Sequence, residues 1–210
     1  MTRATPSDNR NQNYRHFSLP DAELFYWPAY LTAPAADLLQ QQLSREMHWQ
    51  TASIRIYGRE VAIPRRQVWM GEPHCRYRYS GTDFLPEPWH PRLRELASQI
   101  SQALQHPFNC VLLNQYADGQ DHMGWHADDE PELGVAPQIA SLSLGQSRRF
   151  DLKHRQLECQ LQLLLQHGSL LLMAGTCQQY WQHRLPKQAQ AKAERINLTF
   201  RYIAPKKLFL

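Results

Sequence analysis

From Phe108 onward the sequence alternates short apolar runs with glycine turns, and this pattern constrains the fold more than any other feature. The runs are rich in Val, Ile, Leu, Tyr and Phe, and Asp-Gly, Leu-Gly, His-Gly and Ala-Gly pairs mark turns among them. Several runs alternate polar with apolar residues, as a half-buried sheet requires. They read "FNCVLLNQY", "PQIASLSLG", "RRFDLKH", "LECQLQLLL", "GSLLLMAG", "YWQHRLP" and "RINLTFRYI". About seven or eight strands of this kind predict a mainly β fold, a sandwich or a jelly roll.

Two helices are predicted ahead of these strands. Thr32 precedes Ala33-Pro34 as a potential N-cap, and leucines then recur at helical spacing, which predicts a helix over residues 33–46. A second apolar stripe with the same period stops before His106-Pro107. Because proline disfavours a continuing helix, the second helix is predicted over residues 91–105.

Composition narrows the class of protein only moderately. The chain is 42% hydrophobic and 20% charged, which is ordinary for a globular protein, and 210 residues suit a single domain. A net charge of +4 and a pI near 8.9 suit a polyanionic partner but are also common in proteins that bind no nucleic acid. The cysteines lie far apart without a C-x-x-C pair, which predicts reduced thiols. They are Cys75, Cys110, Cys159 and Cys177.

The first sixteen residues, "MTRATPSDNRNQNYRH", are polar and contain no apolar run. They lack the features of a secretory signal, and no later stretch is apolar enough for a membrane span. We therefore expect a cytoplasmic protein that does not enter a membrane. We also expect these residues to form a mobile arm.

A candidate metal site lies in the stretch "HMGWHADDE", residues 122–130. In an extended chain, side chains two positions apart point to one side, so His126 and Asp128 can reach a single ion. With one more distant histidine they would form the facial triad that holds non-haem Fe(II) and leaves coordination positions open. His154, His167 and His183 are candidates, and the place of His183 at the end of a predicted strand favours it. Taken alone, the pair also suits an ordinary surface turn.

The last predicted strand, "RINLTFR", has two different faces. Its polar face carries Arg195, Asn197, Thr199 and Arg201, and its apolar face carries Ile196, Leu198 and Phe200. Two inward guanidinium groups would cost stability unless an anion neutralised them, and a dicarboxylate matches their paired donors. The alternative is an edge strand whose charged face is solvated.

Taken together in chain order, five stretches of this sequence resemble the AlkB family of Fe(II)- and 2-oxoglutarate-dependent dioxygenases. They are "LLNQYADGQDHMGWHADDE", "PQIASLSLG", "HGSLLLMAG", "YWQHRLP" and "RINLTFR", within a resemblance that covers about Ile54 to Ile203. The resemblance implies a double-stranded β-helix, or jelly roll, with flanking helices. It implies that Fe(II) is held by His126, Asp128 and His183. It also implies that 2-oxoglutarate is held by Arg195 and Arg201, with Asn114, Tyr116 and Asn197 completing the pocket.

The earlier stretch "IRIYGREVAIPRRQVWMGEPHCRYRYSG" resembles the base-recognition lid of the duplex-repairing members. The resemblance implies that Tyr57 acts as an intercalating finger. Arginines of the lid would neutralise phosphates: Arg55, Arg59, Arg65 and Arg66. The flipped base would lie between Tyr79 and the ring of His126, in a pocket lined by Tyr77 and Ser80. The alternating Arg and Tyr residues would also suit a half-exposed hairpin.

Asp129 and Glu130 directly follow the predicted metal ligands, and the resemblance places them near the methylated base. Methylation at N1 of adenine or N3 of cytosine leaves the base cationic, so a nearby carboxylate favours it by simple attraction. The alternative is that the same two acids form an exposed acidic turn with no role in base selection.

The resemblance therefore predicts an oxidative demethylase of alkylated DNA bases that uses Fe(II), 2-oxoglutarate and O2, releases formaldehyde and acts as a monomer. One alternative is the same chemistry on RNA or on a protein side chain. Another is a catalytically silent nucleic-acid binder, against which the presence of all ligand candidates and both arginines argues. We expect one structural domain: a flexible arm at 1–16, an extension at 17–107 that includes the lid at 51–81, and a catalytic core at 108–210.

Overall fold

The computed structural model describes residues 13–56, 59–79 and 82–205, and the side chains within these ranges except those of residues 52–62 and 77–84. Tyr57 and Ser80, the predicted finger and a predicted pocket residue, lie outside the described residues. None of the helices in the described ranges is both long and apolar enough to cross a bilayer.

The two predicted helices are confirmed as α1 (Ala33–Glu46) and α2 (Pro91–Leu104). Thr32 occupies the N-cap position of α1, but its side chain makes no capping hydrogen bond. At the start of α2, Nδ1 of His90 accepts a hydrogen bond from the backbone N–H of Arg92 at 3.3 Å. A third helix, α3 (Cys177–Tyr180), is a single turn, and a 3-10 turn spans Pro131–Leu133.

Fourteen strands are assigned within the described residues. The first half of the chain contributes β1 (Arg15–Leu19), β2 (Ala22–Trp27), β3 (Gln50–Ile56), β4 (Arg59–Gly71), β5 (Tyr77–Tyr79) and β6 (Thr82–Phe84). The second half contributes β7 (Cys110–Tyr116), β8 (Met123–His126), β9 (Ile139–Gly145), β10 (Arg148–His154), β11 (Gln160–Leu165), β12 (Ser169–Ala174), β13 (Trp181–Leu185) and β14 (Arg195–Arg201). All seven predicted strand runs are confirmed, and β8 adds an eighth strand to this half.

The strands form a major and a minor antiparallel sheet, the arrangement predicted for a jelly roll. The major sheet has the order β1-β2-β12-β9-β14-β7-β4-β3, and the minor sheet has the order β11-β10-β13-β8. Strands β5 and β6 pair only with each other. Because β2 pairs with β12 and β4 pairs with β7, the predicted extension and the predicted core share one sheet. Strand β1 begins at Arg15, inside the range that was expected to be a mobile arm.

Two apolar layers flank the major sheet. One layer packs α1 and α2 on its outer face and includes Leu43, Ile100 and Leu198. The other lies between the two sheets and includes Leu152 and Trp181. Strand β14 contributes its alternate residues to these layers, so its apolar side chains face the helices and its polar side chains face the space between the sheets. This arrangement directs the polar face predicted for "RINLTFR" into the interior.

Candidate active site

Neighbouring strands of the minor sheet bring the candidate metal ligands together. His126 on β8 is paired directly with His183 on β13, and Asp128 follows two residues after His126. One ligand atom from each of these side chains lies within 4.8 Å of the other two. The other histidine candidates have different partners: Nε2 of His154 lies 3.2 Å from Asp21, and Nδ1 of His167 accepts the N–H of Gly145 at 2.7 Å.

The protonation states of the three side chains suit a divalent ion. Nδ1 of His126 lies 2.8 Å from the carbonyl oxygen of Gly124, so it carries the proton and leaves the lone pair on Nε2. Burial, reinforced by the neighbouring His126, lowers the pKa of His183 to about 3 and keeps its imidazole neutral. Burial would raise the pKa of Asp128, but Arg201 and the two imidazoles lower it below its usual value. Two imidazoles and one carboxylate fit a ferrous ion.

A buried glutamine positions the carboxylate ligand. Gln178 on α3 is 1% exposed, and its Oε1 accepts the backbone N–H of Asp128 at 2.9 Å. Its Nε2 donates to the sulfur of Met173 at 3.6 Å. Because α3 leads directly into β13, this bond links the segment that carries Asp128 to the strand that carries His183. Gln178 was not predicted from the sequence, and its only sequence signal is its position five residues before His183.

A buried arginine, Arg148, fastens the loop that leads into β8. Its guanidinium donates to the backbone carbonyls of Asp118 and Asp121, each at 2.9 Å, and to that of Pro186 at 2.8 Å. These bonds join the entrance of β8 to the exit of β13, at the end of this strand pair where Met123 lies opposite Leu185. Arg148 is fully buried, and burial lowers its pKa. No role was predicted for Arg148 from the sequence.

Arg195 is a buried cation that suits an anionic ligand. It is 2% exposed, its Nη2 donates to Oγ of Ser143 at 2.9 Å, and its guanidinium carbon lies 5.4 Å from the centre of the Tyr116 ring. Its Nε is buried and has no hydrogen-bond partner among the described residues. Burial, with a further effect of Arg148, lowers the pKa of Arg195 to about 10, so it remains charged at neutral pH. A carboxylate of 2-oxoglutarate fits this position.

The second predicted clamp arginine has a different environment. Arg201 forms a buried ion pair with Asp128, and its guanidinium carbon lies 6.0 Å from the Trp69 ring centre. Asn197 uses both amide hydrogens on protein acceptors, Oγ of Ser141 at 2.8 Å and the carbonyl of Leu142 at 3.0 Å. Arg195 and Arg201 therefore differ in their partners, because Arg201 also pairs with the candidate metal ligand Asp128.

Two adjoining cavities meet at the candidate metal ligands. Both are lined by His126, Asp128 and Arg201. The inner cavity extends between the sheets and is also lined by residues of the predicted cosubstrate pocket, Asn114, Tyr116, Arg195 and Asn197. The outer cavity is also lined by Arg65, Gln67, Trp69, Ala127 and Glu130. The site therefore has one compartment for a small dianion and a second compartment beside it.

Arg65 lies in a different place from the one expected. It was expected to contact phosphates, but it is 8% exposed, lines the outer cavity and donates from Nε to Oδ1 of Asn114 at 2.8 Å. Alternation along β4 explains this position, because Arg65 shares a face with Gln67 and Trp69. Arg66 points to the other side and is exposed.

The remaining predicted residues fall into two groups. Glu130 lines the outer cavity, whereas Asp129 is exposed and forms an ion pair of 2.8 Å with Arg155. Four others lie on strands of the lid whose side chains are outside the description: Arg55 on β3, Arg59 on β4, and Tyr77 and Tyr79 on β5. The structure thus brings the predicted metal and cosubstrate residues together. Of the predicted base sandwich, the ring of His126 is described and the side chain of Tyr79 is not.

Comparison with known proteins identifies relatives for most of the chain. A sequence profile of the 2OG-Fe(II) oxygenase superfamily matches residues 23–201. The chain is 39% identical to the DNA oxidative demethylase ALKBH2 of Bos taurus, over 81% of this chain and 65% of that protein. It is 37% identical to the alpha-ketoglutarate-dependent dioxygenase alkB homolog 3 of Homo sapiens, over 85% of this chain and 65% of that protein.

A relative of more similar length is the DNA oxidative demethylase ALKBH2 of Mus musculus. It is 33% identical over 98% of this chain and 90% of that protein. Among solved structures, that of OsALKBH1 superposes with a TM-score of 0.62, covering 89% of this chain and 99% of the other at 14% identity. This structural similarity independently supports the same fold.

Proposed function

We propose that this chain, which belongs to the AlkB family within the 2OG-Fe(II) oxygenase superfamily, oxidatively demethylates N-methylated bases in DNA. Two of the relatives named above are called DNA oxidative demethylases. The observation that carries the proposal is the pair of cavities that meet at His126 and Asp128. One is lined by the buried cation of Arg195, which has no carboxylate partner in the described part of the chain, and the other is lined by Glu130.

In the inner cavity, the chain's task is to hold the cosubstrate and the ion in fixed positions. When bound, Fe(II) and 2-oxoglutarate supply the activation of O2 that hydroxylates an N-methyl group, and the product collapses to formaldehyde and the free base. The imidazoles of His126 and His183 and the carboxylate of Asp128 would hold the ion. Arg195 would bind a carboxylate of 2-oxoglutarate, because no carboxylate of the described residues neutralises it.

In the outer cavity, charge would select the damaged base. 1-Methyladenine and 3-methylcytosine are cationic, and the carboxylate of Glu130 attracts them over the neutral parent bases. The same methyl group blocks Watson-Crick pairing, so a damaged nucleotide costs less to extrude than an intact one. Selectivity therefore has two sources, one in the cavity and one in the duplex itself.

The test measures formaldehyde and repaired base after incubation with oligonucleotides that contain 1-methyladenine or 3-methylcytosine, with and without Fe(II) and 2-oxoglutarate. We expect turnover only in the complete mixture. Asp128→Ala should abolish it, whereas the matched control Glu158→Ala removes an exposed carboxylate outside the site and should leave it intact. Full turnover by the Asp128 variant would contradict the proposal.

Parallel substrates separate the alternatives. DNA and RNA oligonucleotides of the same sequence, and a peptide with methylated lysine, are compared at equal concentration. If kcat/KM is higher on RNA or on the peptide than on DNA, DNA is not the preferred substrate. Binding without turnover of any of them would favour the silent nucleic-acid binder.

A further inference from the structure

The outer face of the minor sheet carries more positive than negative charge. Strand β10 turns Phe150 and Leu152 toward the core, so that its alternate residues Arg149, Asp151 and Lys153 lie on the opposite face. On the neighbouring strand β13, Arg184 is paired in register with Asp151. Three cations and one carboxylate therefore share this part of the sheet.

The single carboxylate is already bound by two of the cations. Nη2 of Arg149 donates to Oδ2 of Asp151 at 3.2 Å, and Nε of Arg184 donates to the same oxygen at 2.9 Å. Lys153 has no carboxylate partner within 4.0 Å among the described residues, and its ammonium group lies over the ring of Trp125. The four charged side chains thus carry a net charge of +2, part of which is unneutralised at Lys153.

An indole ring joins these cations to the active site. The Trp125 ring centre lies 4.6 Å from Nζ of Lys153 and 4.5 Å from the guanidinium carbon of Arg184. Cation–π contacts of this kind hold flexible cationic side chains in place. Trp125 directly precedes His126, so this cationic face begins one residue from a metal ligand.

We propose that this cationic face, formed by Trp125, Lys153 and Arg184, binds the phosphodiester backbone of the strand whose base enters the outer cavity. The inference rests on the proposed function and adds a second contact region to it. Charge complementarity carries it: an unneutralised ammonium beside a half-neutralised guanidinium attracts a polyanion. The adjoining strand β11 presents Gln160 and Gln162, whose exposed amides add no negative charge that would repel phosphate.

The first experiment measures binding of a fluorescent, unmodified single-stranded oligonucleotide, without 2-oxoglutarate, over a range of salt concentrations. Replacing Lys153 with alanine should weaken binding several-fold at low salt and reduce the slope of log K against log salt by about 0.7, the value for one lost phosphate contact on a single strand. Arg45→Ala is the control, because it removes an exposed cation from α1, behind the major sheet. An unchanged slope for Lys153→Ala, or an equal change for Arg45→Ala, would overturn the inference.

The second experiment compares a methylated oligonucleotide with the methylated mononucleotide. For Lys153→Ala we expect a higher KM with the oligonucleotide, an unchanged kcat, and unchanged kinetics with the mononucleotide, which has no flanking phosphates. If the wild-type protein demethylates neither substrate, the proposed function fails, while the salt slope still decides whether the face binds nucleic acid. If light scattering instead shows a dimer that Lys153→Glu dissociates, the face is a self-association surface and the inference is wrong.

Discussion

Acid should destabilise the metal-free protein, and most of this effect should come from His183. Burial holds the pKa of this imidazole at about 3 in the folded chain, against an ordinary value of 6.5. Between these values the unfolded chain binds a proton that the folded chain excludes, so stability falls as the pH is lowered. From pH 7 to about pH 5 the loss amounts to roughly 2 kcal/mol for this one group.

Urea unfolding in the presence of a chelator, at several pH values across this range, measures the effect. The quantity to compare is the change in the free energy of unfolding with pH, in the wild type and in His183→Gln. Burial also lowers the pKa of His106, and this contribution is present in both proteins and cancels in the comparison. Equal pH dependence in the two proteins would refute the assignment of a neutral, buried imidazole to His183.

Three further predictions concern single side chains. Gln178→Ala leaves the buried N–H of Asp128 without its acceptor, so Mn(II) affinity measured by calorimetry should fall about tenfold or more; unchanged affinity would show that this bond is not needed. Arg195→Met should raise the KM for 2-oxoglutarate by at least about tenfold while leaving the melting temperature unchanged or higher, since it removes a buried cation that no carboxylate of the described residues neutralises; a marked loss of stability would contradict this. Arg65→Ala should raise KM equally for a methylated oligonucleotide and a methylated mononucleotide, without changing the slope of log K against log salt for oligonucleotide binding. A reduced slope would instead show that Arg65 contacts a phosphate, as expected from the sequence.

Local periodicity accounts for the part of the fold that could be predicted. Alternation of polar and apolar residues is set by the strand itself, so the seven runs after Phe108 and the two-faced strand "RINLTFR" were recognisable without any tertiary information. The same reasoning places His126 and Asp128 on one side of the chain. Strand β1 was missed because "RHFSL" has little apolar alternation, and it is stabilised by pairing with β2 at the edge of the sheet.

Contacts between distant segments could not be predicted, because they depend on which strands become neighbours. Arg148 and Gln178 bind backbone groups of segments 27 to 50 residues away in sequence, and no pattern of residue types marks such partners. The pairing of Arg201 with Asp128, 73 residues apart, has the same origin. The expected phosphate contact of Arg65 was wrong for a simpler reason. It was predicted from the positive charge alone, although the alternation of Arg65 with Trp69 already indicated an inward-facing side chain.

Strand β10 shows how a short segment can serve the active site from both of its faces. On the inner face, the ring centre of Phe150 lies 5.3 Å from that of His183, which helps to keep this imidazole buried and neutral. On the outer face, one residue further along, Asp151 holds Arg184 against the ring of Trp125. Alternation thus couples the environment of a metal ligand to the placement of surface cations. A shift of one residue in the pairing of β10 with β13 would exchange the two faces, placing charge beside His183 and an aromatic ring on the proposed nucleic-acid surface.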